Sequence, residues 1–308
     1  RSICYYRTCY RWRRNGKKIR YYKGIKIKVF TIKTQSFSTM KKVIIPTDFS
    51  FNALKAIDYA LDLFKNETCT FYILHGYHNA PSSDMSKSAT EKKLDLLVKS
   101  LELQNADKEF YFEGILKTES VLNLTNQSQK IINADFIIIG TRGASTLSQI
   151  FIGSNALDLI EHLENSALII VPPEYGSTSS KEIVFATDYK HTFTNAELSP
   201  LLKMVNLKKT TLNIAHVKTE EVLSDEQKAN KELLKSELKA TKHRFFEIEL
   251  QDNVAYTLYQ IEKENQRIDT MVILKTKHGF FKQLLRENII KNLSAKTKIP
   301  LLVLPQVK

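Results

Sequence analysis

Short apolar runs alternate with amphipathic stretches through most of this chain, and their spacing predicts its elements. Residues 42–46 read as a buried strand. Residues 52–65 read as a helix, with Ala53, Ala56, Ile57, Ala60, Leu61 and Phe64 on one face and Ser50 placed to cap it. A strand over 70–75, a Pro/Ser-rich loop around 80–83 and a charged amphipathic helix from about 91 to 103 follow. Then come a strand over 108–113, a helix over 120–132, a strand over 136–139, a helix over 155–163 and a strand over 168–171. Strands alternating with helices imply crossover units and a parallel sheet with helices on both faces. Five strands and four helices predict an open doubly wound α/β sheet of order 3-2-1-4-5, with its switch point between the first and fourth strands.

The pattern then restarts. Residues 174–180 are a short polar linker. Beyond it residues 181–189 repeat 41–49, residues 212–217 repeat the strand that ends at His75, residues 269–273 repeat 135–139, and residues 299–303 repeat the last strand. Echoes in the same order mean a duplicated domain joined head to tail. The expected layout is a first domain over 40–173 and a second over 181–308, each with the same five-stranded sheet.

Charge changes the picture only at one end. The net charge of +13 suggests a nucleic-acid binder, yet residues 1–39 carry twelve Lys or Arg and no Asp or Glu. The remaining chain is close to neutral, so the basic signal belongs to this leader. Three readings of it compete: a basic arm whose Tyr and Trp12 stack on bases, a targeting segment without a secretory apolar core, or a stretch outside the native chain or without a fold, with Met40 as the true start. The third is favoured, and nucleic acid as a partner rests on the leader alone. No apolar run approaches the 18 to 20 residues of a membrane-spanning helix. Cys69 is alone in the body, which suits a reducing cytoplasm, and no His/Cys cluster has zinc-ligand spacing.

Candidate chemistry gathers after the fourth strand, where Gly140-Thr141-Arg142-Gly143 is followed, nine residues on, by Gly153-Ser154-Asn155. Glycine lets a backbone come close to a ligand, and the N–H groups of such a loop and of the next helix start point at an anion. Turn glycines at the two ends of a loop are the plain alternative. Asp48 ends the neighbouring central strand and is placed for a ribose hydroxyl or a base amine; its plain alternative is a helix cap. His75 reads as structural. No Ser-His-Asp order, metal-holding carboxylate pair or phosphate-loop lysine is present, so no catalytic constellation stands out.

The glycine pattern, the opening Pro46-Thr47-Asp48 strand end and the closing 167–172 stretch resemble the universal stress protein family. That resemblance implies adenine-nucleotide binding: Asp48, with Pro46 and Thr47, at the adenosine; the backbone of Gly76 at the base; Gly140, Arg142, Gly143, Gly153, Ser154 and Asn155 at ribose and phosphates. ATP is the expected ligand, with or without magnesium, and AMP or ADP next. Gly76 departs from the family's usual Val and so removes a side chain near the base. The resemblance also implies two domains paired through their last strands, residues 168–171 against 301–304, with further homodimerisation open. In the second domain the loop reads Leu274-Lys275-Thr276-Lys277-His278-Gly279, and Arg286-Glu287 replaces Gly-Ser. Lys275, Lys277 and Arg286 read as solvated charges around a worn loop. The expectation is therefore a cytoplasmic nucleotide-binding stress or signalling protein with one site and a degenerate second domain. A slow ATPase and a nucleotide-free scaffold are the alternatives.

Overall fold

The computed structural model describes residues 40–77, 86–141, 153–176, 182–276 and 297–307, together with the backbone of three short strands before residue 40. Residues 1–39 form one unit and residues 40–308 another. In the first unit β1 (Ile3–Tyr5), β2 (Thr8–Trp12) and β3 (Lys18–Arg20) make an antiparallel sheet in chain order. Strands of three to five residues are too short to show a period in sequence, which is why none was expected here.

The second unit opens with β4 (Lys41–Pro46), α1 (Phe51–Leu63), β5 (Cys69–Gly76), α2 (Lys87–Gln104), β6 (Phe110–Lys117), α3 (Val121–Ile132), β7 (Phe136–Gly140), α4 (Ser154–His162) and β8 (Leu168–Val171). It continues with β9 (Glu182–Thr187), α5 (Asn195–Lys208), β10 (Thr211–Lys218), α6 (Asp225–Glu237), β11 (His243–Glu249), α7 (Val254–Glu264), β12 (Ile268–Leu274) and β13 (Leu301–Leu304). All ten strands join one sheet in the order β11-β10-β9-β12-β13-β8-β7-β4-β5-β6. Each half has the predicted order 3-2-1-4-5 with parallel neighbours. The halves meet where β13 runs antiparallel to β8, with Leu302 opposite Ile169.

Strand alternation sorts the apolar residues into two cores that run through both halves. Val43, Ile45, Phe71, Phe136 and Ile169 face α1 and α2, and continue into Phe185, Ile214 and Leu302 beneath α5 and α6. Ile44, Leu74, Ile137 and Ile170 face α3 and α4, and continue into Val184, Ala215 and Ile273 beneath α7. Burying both faces is what makes these strands read as continuous apolar runs.

Two element boundaries differ from the expected ones. Helix α2 begins at Lys87 because Ser86 accepts the Ala89 N–H at 3.2 Å, four residues before the apolar period becomes visible. Strand β6 runs on through Gly114 to Lys117, which lies opposite Gly76. A Cβ at Gly114 would stand 3.1 Å from Leu94, so this glycine admits α2 rather than ending the strand.

Candidate nucleotide site at the switch point of the first half

Strands β5, β4 and β7 end side by side at the switch point, the crevice where ligands of such sheets bind. At the end of β4, Pro46 and Thr47 are buried and Asp48 is half-buried. The turn that follows is held by its own side chains. Thr47 Oγ1 accepts the Phe49 N–H and Asp48 Oδ1 accepts the Ser50 N–H, both at 3.0 Å. Ser50, not Asp48, caps α1, accepting the Ala53 N–H at 3.2 Å. Asp48 therefore sits two residues before the cap, where its carboxylate shapes the turn at the crevice.

Phe49 adopts φ 62°, a left-handed conformation that costs a bulky side chain energy unless its surroundings hold it. Its ring lies 4.7 Å from that of His75, and the Lys93 ammonium of α2 lies 4.6 Å from its centroid. His75 Nδ1 stands 2.8 Å from the Thr47 carbonyl oxygen. Burial lowers the His75 pKa, opposed by that bond and by Asp48, while Lys93 adds to the lowering. The ring is thus neutral at pH 7 and donates through Nδ1, a structural role that fastens the Asp48 turn.

Pairing between β4 and β5 ends at Pro46 opposite Leu74, where the Thr47 N–H donates to the Leu74 carbonyl at 2.8 Å. Backbone groups alternate sides along a strand. Those of Gly76 therefore point the same way as those of Leu74, past the end of β4 and into the crevice. The Tyr77 N–H points the other way, to the Lys117 carbonyl at 2.8 Å. A Cβ on Gly76 would lie 2.6 Å from the Glu119 carbonyl oxygen. The place of the missing side chain is taken by the backbone that leads into α3.

On the β7 side, Gly140 ends the strand and the Thr141 N–H donates to the Val171 carbonyl at 3.0 Å. The absence of a side chain at Gly140 serves packing: a Cβ there would meet the Asn52 carbonyl oxygen of α1 at 2.5 Å. Arg142 and Gly143 lie outside the described residues. The chain re-enters at Gly153, whose N–H donates to the Thr141 carbonyl at 2.6 Å, so both ends of the intervening loop are pinned together. Gly153 is the N-cap of α4, followed by exposed Ser154 and Asn155. The other six described helices are capped by Ser50, Ser86, Ser120, Thr194, Ser224 or Asn253, each accepting a backbone N–H. Helix α4 has no side-chain cap at Gly153, the kind of helix start that can receive an anion. Beside it the Thr141 hydroxyl is buried without a partner among the described residues. This threonine was legible only as the filler of the glycine motif.

The second half repeats the turn. Thr187 Oγ1 and Asp188 Oδ1 accept the Tyr189 and Lys190 N–H groups at 3.0 Å, and Tyr189 stacks on His216 with φ 58°. Here two buried amides of α6 hold the turn. Gln227 donates to the Asp188 carbonyl at 2.8 Å and Asn230 to the Tyr189 carbonyl at 2.9 Å. The cleft left between Asp188, Lys190, His191 and Thr276 has room for about one water. Lys275, read as a solvated charge, is instead docked on the first half. Its Nζ donates to the carbonyls of Glu161 at 2.6 Å and Leu163 at 3.2 Å, at the C-terminal end of α4. Burial pulls its pKa down while Glu164 and Glu161 pull it up. Lys277, His278, Gly279, Arg286 and Glu287 lie outside the described residues.

Among the described residues, no group of three or more His, Cys, Asp or Glu side chains could hold a metal, and no helix is long and apolar enough to cross a membrane.

A parallel sheet of order 3-2-1-4-5 with helices on both faces defines a doubly wound α/β domain. Residues 39–171 match the sequence model of the Universal stress protein family. A universal stress protein from Archaeoglobus fulgidus DSM 4304 superposes with a TM-score of 0.64 at 14% identity, over 86% of this chain and 96% of that one. A functionally unknown protein from Pseudomonas aeruginosa PAO1 gives 0.57 at 11% identity, over 87% and 93%. The cytoplasmic domain of a prokaryotic cation chloride cotransporter gives 0.52 at 7% identity, over 87% and 96%. At such identities these likenesses describe the ten-stranded fold alone. No curated protein matches the chain in sequence.

Proposed function

We propose that the first half binds an adenine nucleotide, ATP before ADP or AMP, and that occupancy of this one site sets the protein's shape or partners in a cytoplasmic stress response. The observation that carries the reading is the start of α4. Gly153 gives it no side-chain cap and donates its own N–H to the Thr141 carbonyl, and the Thr141 hydroxyl is buried without a partner among the described residues, a setting that suits an anion. Phosphates sit there, beside Ser154 and Asn155; Arg142 and Gly143, the motif's other candidates, lie outside the described residues. Asp48 takes the ribose, and the inward-facing backbone of Gly76 reads the base edge. Magnesium, where used, arrives on the phosphates, since Asp48 alone makes a poor cation site. The second half, whose glycine motif is reduced to Leu274-Lys275-Thr276-Lys277-His278-Gly279, acts as a packing partner. Among the described residues no group of three or more His, Cys, Asp or Glu could hold a metal, which supports a reading of binding rather than turnover.

The test is calorimetric titration of the full chain with ATP, ADP and AMP, beside a Gly153→Asp variant. Gly153 has φ −63° and ψ 150°, a conformation open to Asp, which is a good cap. The variant should melt no lower than the parent and yet lose ATP, because the new carboxylate occupies and repels at the phosphate position. Equal ATP affinity in the two proteins, or no affinity in the parent, overturns the reading.

A further inference from the structure

We infer that Lys275 is a positioning residue through which the second half holds α4 for the nucleotide. The inference rests on the proposed site and assigns it a regulator. Helix α4 has only nine residues, about 13 Å of axis, so its two ends are close enough to act as one body. A helix this short does not hold itself together in water, and this one lacks the side-chain cap present on the other six described helices. Its other end is held by a cation. Lys275 leaves the end of β12 and puts its ammonium on the carbonyls of Glu161 and Leu163, two of the groups that a helix end leaves unpaired. A positive charge there opposes the negative end of the helix dipole, the complement of an anion at the N-terminus. Phosphate and Lys275 therefore favour the same state: a formed α4 seated between Thr141 and the second half.

The contact is not available within the first half. Thr141, the residue of β7 that corresponds to Lys275 of β12, has no charge to offer. Lys275 thus gives the worn loop of the second half a use unrelated to nucleotide. It also gives a route. Leu274 and Thr276, on either side of Lys275, line the small cleft under Asp188, so a shift of that segment moves the ammonium and loosens α4. The nucleotide affinity of the first half then depends on the seating of the second, which is a coupling between two sites in the thermodynamic sense.

The full chain would be compared with Lys275→Met and Lys275→Arg by two measurements. Backbone hydrogen exchange without nucleotide reports on α4 directly. Its amides should exchange roughly tenfold faster in the Met variant and return toward parental rates in the Arg variant. ATP titration should show binding weakened by the order of tenfold in Lys275→Met, again restored by Arg. Unchanged α4 protection in Lys275→Met overturns the inference whatever ATP does. So does loosened α4 with unchanged ATP affinity. Absence of ATP binding by the parent would instead overturn the proposed site and the coupling with it, while the exchange measurement still decides whether Lys275 holds α4.

Discussion

Gly140 lies so close to Asn52 that a Cβ built on it would stand 2.5 Å from the Asn52 carbonyl oxygen. The first glycine of the Gly140–Gly143 motif is therefore required by the close approach of the first turn of α1. Backbone cannot swing aside as a side-chain tip can, so Gly140→Ala should destabilise the protein by about 1–3 kcal/mol in denaturant unfolding. Gly176→Ala is the matched control, since nothing lies within 4 Å of its Cβ position. It should stay within about 0.5 kcal/mol of the parent.

Gly76→Val restores the side chain usual in the family, and the turn into α3 forbids it here. With the Glu119 carbonyl oxygen 2.6 Å from the Cβ position, the variant should lose about 1–3 kcal/mol and should not gain nucleotide affinity. Thermal melts with and without ATP check both halves of that statement.

Helix α5 carries two lysines that reach equivalent aspartates in different settings. Lys208 meets Asp269 at 3.0 Å with both side chains less than a tenth exposed, while Lys203 meets Asp135 at 2.6 Å with its own side chain 43% exposed. Removing one partner of a buried pair leaves a stranded charge, so Asp269→Asn should cost about 3–5 kcal/mol. Lys203→Met should cost no more than about 1 kcal/mol. Urea unfolding of the two variants gives the contrast.

His216 is 2% exposed, stacks on Tyr189, and has no partner for either ring nitrogen among the described residues. Burial and Lys231 hold its pKa below the usual 6.5, against the pull of Glu247, Asp188 and Glu220. The unfolded chain then takes up this proton at a higher pH than the fold does. Stability is complete above about pH 6.5 and falls as the pH drops from there toward the folded pKa. His216→Phe should flatten part of that loss and raise stability at pH 7 by up to about 1 kcal/mol, since two unpaired polar atoms leave the core. His75, shifted in the same direction, keeps the remainder. Melting temperatures from pH 5 to 8 would show no difference between variant and parent if the argument is wrong.

The sheet order was legible because each central strand is an apolar run of one strand's length, and because the second half repeats the first in order. Chemistry at strand ends was legible to the extent that it is local. Asp48, Gly153 and Ser154 stand where their neighbours in sequence put them. What escaped was set by partners distant in sequence. Gly76 and Gly140 answer to Glu119 and Asn52, Gly114 to Leu94, and Lys275 to carbonyls more than a hundred residues away. Thr141 was passed over because a buried hydroxyl looks like any other threonine until its surroundings are known.

The antiparallel seam between β8 and β13 also sets how the protein responds to dilution. A seam between separate chains would open at low cellular abundance and would exchange partners with any similar strand nearby. Within one chain the two edges are tethered, and their effective concentration does not follow the number of copies in the cell. The first half therefore always meets the same neighbour, so any difference that has accumulated between the halves is read as a fixed property of the molecule.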